Sequence, residues 1–162
     1  KQILHEAGDE GKIAGYNAAH SSSIKFKCKV HLGITFCDPN IVTAGADWST
    51  LANNENVVVG EMRMGPVGRA LIMGKNKGVM RIYVDKTNAR LLGATLVAVK
   101  GEHIGHLLSW SIQQDLTVYD ILRLPFYHPV IEEALQACFY DVLSKLETTS
   151  KAKILELEEL EA

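Results

Sequence analysis

The run Leu91–Val99 constrains the fold more than any other stretch of the chain, because Thr95 is its one polar side chain. It is too short to cross a bilayer, which takes about 20 residues. It must therefore be buried inside the protein. A strand that is apolar on both faces belongs at the centre of a sheet, with cover on each side. Its partner lies just upstream. Val79–Val84 is a second strand pattern, and the mostly polar segment 85–90 separates the two. Two strands joined by so short a loop read as an antiparallel hairpin.

The rest of the chain sorts into strands first and helices after. Ile24, Phe26, Cys28, Val30, Leu32, Ile34 and Phe36 are apolar at every second position, the period of a strand with one buried face. The signal is firmest over 30–36, and Asp38-Pro39-Asn40 ends it with turn chemistry. Residues 41–44 and 57–63 read as further strands, with a helical turn near Ser49–Asn53. Arg69–Met73 reads as a short helix closed by Gly74. Ile104, Leu107, Leu108, Ser111 and Ile112 follow helical spacing and predict a helix over 102–114. Thr117 is placed to cap a short helix ending at Leu122. The longest helix is expected over 130–146, with Ile131, Ala134, Leu135, Cys138, Phe139, Val142, Leu143 and Leu146 inward. An uncapped helix over 3–20 precedes everything, with Ile3, Leu4, Ala7, Gly11, Ile13, Ala14 and Ala18 as its apolar stripe. A Lys/Glu-rich tail over 147–162 reads as a marginal surface helix. Strands and helices segregated along the chain predict an α+β fold, an antiparallel sheet with helices packed on one side.

Composition narrows the function. Seventeen basic against 19 acidic residues give a net charge of −2, which disfavours a nucleic-acid binder or a polybasic membrane module. The three cysteines, Cys28, Cys37 and Cys138, are odd in number and make no CxxC pair. They read as buried small hydrophobes in a reducing, cytoplasmic compartment. His103 and His106 lie one helical turn apart, but no third ligand has a helpful spacing, so no metal site is expected. Gly65 and Gly68, with Arg69, Lys75 and Lys77 after them, faintly resemble a phosphate or RNA loop and read better as a turn.

Pro125-Phe126-Tyr127-His128-Pro129-Val130-Ile131-Glu132-Glu133 is the segment with chemistry in it. Pro129 fits the first position of a helix. His128 then falls at the cap and Glu133 in the first turn, leaning back toward the ring. A histidine held in one tautomer by a carboxylate is half of a general-base system. The spacing alone equally describes a capping histidine beside a helix-stabilising acid.

The chain resembles, in order, the C-terminal part of the dihydrolipoamide dehydrogenases, members of the FAD/NAD-linked disulfide reductases. Ile3–Gly15 (ILHEAGDEGKIAG) resembles the last helix of that family's FAD domain, and Ile34–Pro39 (ITFCDP) followed by Gly45 resembles the start of its dimerisation domain. Arg90–Ala94 (RLLGA) is similar to its mid-domain strand, and His128-Pro129 with Glu133 matches its His-Pro-x-x-x-Glu motif.

The resemblance implies three segments: residues 1–20 as the terminal helix of a truncated FAD domain, 24–146 as the dimerisation domain, and 147–162 as the tail. It implies a homodimer in which His128, oriented by Glu133, serves the flavin and redox-disulfide centre of the other subunit. It implies a cis bond before Pro129, and the helix start at Leu4 and His5 facing the flavin. The parent enzyme would use FAD and NAD and serve a 2-oxo acid dehydrogenase complex through lipoamide. The chain has no GxGxxG and no Cys-x4-Cys pair, so an excised fragment without bound cofactor or activity of its own is expected. A glutathione-reductase-like parent and a non-catalytic interaction module are the alternatives.

Overall fold

The computed structural model describes residues 3–146 and 156–157. Five strands form one antiparallel sheet: β1 (Leu32–Thr35), β2 (Asn40–Gly45), β3 (Val57–Arg63), β4 (Val79–Asp85) and β5 (Leu91–Ala98). Their order across the sheet is β1-β2-β5-β4-β3, so the run met first in the sequence occupies the middle. The helices are α1 (Leu4–Ala18), α2 (Trp48–Leu51), α3 (Gly68–Ile72), α4 (Gly101–Gln113), α5 (Val118–Leu122) and α6 (Glu133–Leu143).

The core lies between one face of the sheet and the pair α4 and α6. Val42, Leu96 and Met80 stand side by side across β2, β5 and β4, all at most 1% exposed. Phe139, Val142 and Cys138 of α6 and Ile104 and Leu108 of α4 close over them. The fit is tight at Gly60 of β3, where a Cβ atom would sit 2.5 Å from Val142 Cγ2 and 2.7 Å from the Cys138 carbonyl. The two long helices of the core, α4 and α6, thus pack on one side of an α+β sheet, as the pattern predicts, while the short α2 lies against the other face.

The local chemistry of the helix ends also follows the sequence. Thr117 Oγ1 accepts the Asp120 N–H, and the Asp120 carboxylate accepts the Thr117 N–H in return, a reciprocal cap on α5. Gly74, at φ +66, closes α3, with the Lys75 N–H donating to the Ala70 carbonyl and the Gly74 N–H to the Leu71 carbonyl.

Several expectations need correction. The second face of β5 is not fully covered: Thr95 and Val97 are half-buried, and Ile41 beside them is 44% exposed. Tyr83, under the Trp48 ring at 5.2 Å, and its cross-strand partner Gly93 are buried on that face. The alternation over 24–31 does not make a strand, since pairing begins only where Leu32 meets Ala44. That segment instead runs along α1, through Asn17 to the Ile24 backbone, Asp9 to Lys29 and Glu6 to His31. The contact face of α1 is mainly polar, with one aromatic contact from Tyr16 to Phe26 at 5.7 Å, and none of its apolar stripe is fully buried. Cys28 and Cys37 are exposed, and only Cys138 behaves as a core residue. The last helix begins at Glu133 rather than 130, which leaves α1 the longer of the two. The proposed tail helix lies outside the described residues, apart from Glu156 and Leu157.

Candidate functional site

The segment between α5 and α6 is pinned at both ends by apolar side chains. Leu122 is 2% exposed, Ile131 is 4% exposed, and Phe126 packs against the core. Between these anchors the chain turns outward through a cis peptide bond before Pro129. The helix begins at Glu133 with Glu132 as its cap residue, so Pro129 is not its first residue and His128 is not its cap. Tyr127 and the His128 ring stand 80% exposed at the tip.

The sequence-predicted pair does meet. His128 Nδ1 lies 2.8 Å from Glu133 Oε1. The other carboxylate oxygen, Oε2, accepts the Val130 N–H at 3.0 Å. The His128 contact and then the Val130 amide hold the Glu133 carboxyl below its ordinary value, with burial opposing weakly. It is ionised near neutral pH and can only accept hydrogen bonds. In the neutral ring the nitrogen facing it carries the proton, which leaves the lone pair on Nε2. Chemically this is a carboxylate-oriented base exposed at the surface of the domain. The Val130 amide was invisible in the residue pattern, since any non-proline residue supplies one.

Two depressions flank the tip. A cleft of about 370 Å³ brings Arg123, Tyr127, Gln136, Glu156 and Leu157 beside His128 and Glu133. A groove of about 500 Å³ between α4, α5 and α6 is lined by Leu107, Trp110, Leu116, Leu124, Phe126 and Phe139. Trp110 is 62% exposed there and Leu124 49%. The only trace of this apolar edge in the residue pattern is a second stripe of Leu107 and Trp110 on α4, with Gln114 just past its end.

The remaining candidates disperse. Leu4 is 82% exposed, and Leu4 and His5 open α1 with no side-chain cap. His106 bonds back to the Glu102 carbonyl at 2.6 Å, and His103 turns to the Glu102 carboxylate at 3.6 Å. No group of three metal-binding side chains exists among the described residues. Lys75 is spent on Asp38 at 2.7 Å, and the Gly65–Gly68 segment is a turn opening the five-residue α3. No helix among the described residues is long and apolar enough to cross a membrane.

Known proteins agree with this architecture. Dihydrolipoyl dehydrogenase of Rhizobium etli is 24% identical over 150 residues, covering 89% of this chain and 30% of the relative. The Mycobacterium tuberculosis dihydrolipoyl dehydrogenase is 28% identical over 148 residues, covering 90% of this chain and 32% of its own length. The chain thus spans about a third of these relatives. Among solved structures, the HOCl-induced flavoprotein disulfide reductase RclA from Escherichia coli superposes with a TM-score of 0.73 at 22% identity, over 86% of this chain and 33% of RclA. LpdA from Mycobacterium tuberculosis gives 0.73 at 16% identity, over 85% and 30%. Residues 32–138 match the model of the pyridine nucleotide-disulphide oxidoreductase dimerisation domain, and the chain belongs to that family.

Proposed function

We propose that this chain is the dimerisation domain of a dihydrolipoamide dehydrogenase and lends His128 as a general base to the redox centre of a second subunit. The observation that carries the reading is the His128–Glu133 pair on an 80% exposed tip. A solvent-exposed base oriented by a carboxylate is placed to serve a group outside its own domain. The apolar groove beside it, with Trp110 and Leu124 uncovered, is the face on which the second copy docks. Docking there would also shield the ring from water.

In this reading Nε2 of His128 takes the proton from a substrate thiol. The thiolate attacks one sulfur of the partner's redox disulfide, so that one S–S bond forms, another breaks and a thiolate leaves. Glu133 keeps the ring oriented and offsets the charge it gains. An FAD held by the rest of the parent protein would supply the electron-transfer chemistry.

This chain's own residues do not fit either dinucleotide. It has no glycine-rich phosphate loop, and the free amides at the start of α1, near Leu4 and His5, offer at most one edge of a flavin site. The parent would act in the cytoplasm on lipoamide carried by a 2-oxo acid dehydrogenase complex. Free rather than paired cysteines among the described residues support that compartment.

The test is His128→Gln in the full-length flavoprotein. Dihydrolipoamide oxidation should fall about 10²–10⁴-fold, the usual worth of a general base, while flavin reduction by NADH persists. Co-expression with subunits lacking the redox cysteines should restore part of the activity. Full activity in His128→Gln, or no restoration in the mixed dimers, refutes the base in trans.

A further inference from the structure

The Glu133 carboxylate is held from two sides: Oε1 faces His128 Nδ1 at 2.8 Å, and Oε2 accepts the Val130 N–H at 3.0 Å. The plain reading of the second bond is a helix cap. An acid in the first turn reaches back to an amide ahead of the helix, as Asp120 does to Thr117 in α5. The two cases differ in what the acid does with its other contacts. Asp120 Oδ2 takes both the amide and the hydroxyl of Thr117, so that contact closes on the cap residue itself. Glu133 divides its oxygens between the backbone and an 80% exposed imidazole. A glutamate side chain has three rotatable bonds. With one oxygen anchored, the other is confined to a small arc, and His128 lies on it.

We propose that the backbone N–H of Val130 is a positioning group: it clamps the Glu133 carboxylate so that its free oxygen stays on His128 Nδ1 and keeps Nε2 as the basic nitrogen. Val130 touches no reacting atom and acts through Glu133, so its role deepens the function proposed above. Its side chain is incidental to that role, since only the amide is used.

The test replaces the amide at position 130 by an ester, through the α-hydroxy analogue of valine. This deletes the N–H and keeps the side chain. The ring-nitrogen spectrum of His128 is then recorded in the full chain, with Val130→Ala as the variant that retains the amide. Expected is a loss of tautomer bias of about fivefold on ester substitution, the worth of one hydrogen bond of ordinary net strength. Val130→Ala should leave the bias unchanged. A pure cap would lower the melting temperature of the ester variant and leave the tautomer ratio of the folded protein alone, which overturns the proposal. An altered ratio in Val130→Ala overturns it as well. In the full-length flavoprotein, a relaxed tautomer ratio with an unchanged pH–rate profile would refute the proposed base while leaving the clamp in place.

Discussion

Replacing Glu133 by Gln isolates the electrostatic part of the site. Gln keeps the size and one acceptor oxygen but loses the charge, and it cannot accept from His128 and Val130 together. The structure sets the scale. Glu133 is about one-third exposed and its imidazole partner 80% exposed, so water screens their contact strongly. The pair and the backbone bond together should contribute about 1 kcal/mol, well below the value of a buried pair. For a chain of 162 residues that is roughly 2–4 °C in Tm.

The sign with pH is fixed by linkage. The folded-state value of Glu133 is depressed from 4.5, so its contribution is fully present above that value and is lost as pH falls through the lower folded one. A protonated glutamic acid is nearly isosteric with glutamine, and the two proteins should converge in acid. Asp85, Asp120 and Asp141 are depressed too, but they are common to both proteins and cancel in the difference. The assay is thermal unfolding of both proteins from pH 7 down to pH 3. A Tm gap that stays constant over the whole range refutes the charge argument.

Two further predictions concern the scaffold. Gly60→Ala drives a methyl group into Val142 Cγ2 and the Cys138 carbonyl of α6. Overpacking costs about 1–3 kcal/mol, against roughly 0.4–1 kcal/mol regained from a stiffer unfolded chain, so denaturant titration should show net destabilisation, and a neutral result would mean that α6 does not lie so close to β3. In thiol titration of the native protein, Cys28 and Cys37 should react promptly while Cys138, buried with its thiol pushed up to about 12, waits for denaturation; three equal rates would contradict its burial.

The elements that could be read from residues alone were those whose signal is local. Hydrophobic run length put Leu91–Val99 at the sheet centre, and side-chain chemistry placed Thr117 at a cap and Gly74 at a helix end. Alternation over 24–31 failed because a period of two states which face a strand would bury, not whether a partner strand exists. An ion pair from Asp9 to Lys29 and a side-chain contact from Glu6 to His31 hold that segment instead. The His128–Glu133 pairing was legible from spacing, yet for the wrong backbone. Pro129 is not at the first helical position, and an i to i+5 contact is made through a turn that the Val130 amide helps to close. The apolar groove escaped notice because it is shared among three helices that are separate in sequence.

The strand order bears on how the chain assembles. β4 pairs with β3 on one side and β5 on the other, so those three strands can zip together as successive neighbours. β2 reaches β5 only after α2, β3, α3 and β4 have intervened. Loop-closure entropy must be met before that distant contact repays it. The ladder between β2 and β5 therefore carries the largest closure cost of the four pairings in the sheet, and α4 packs across both of its strands.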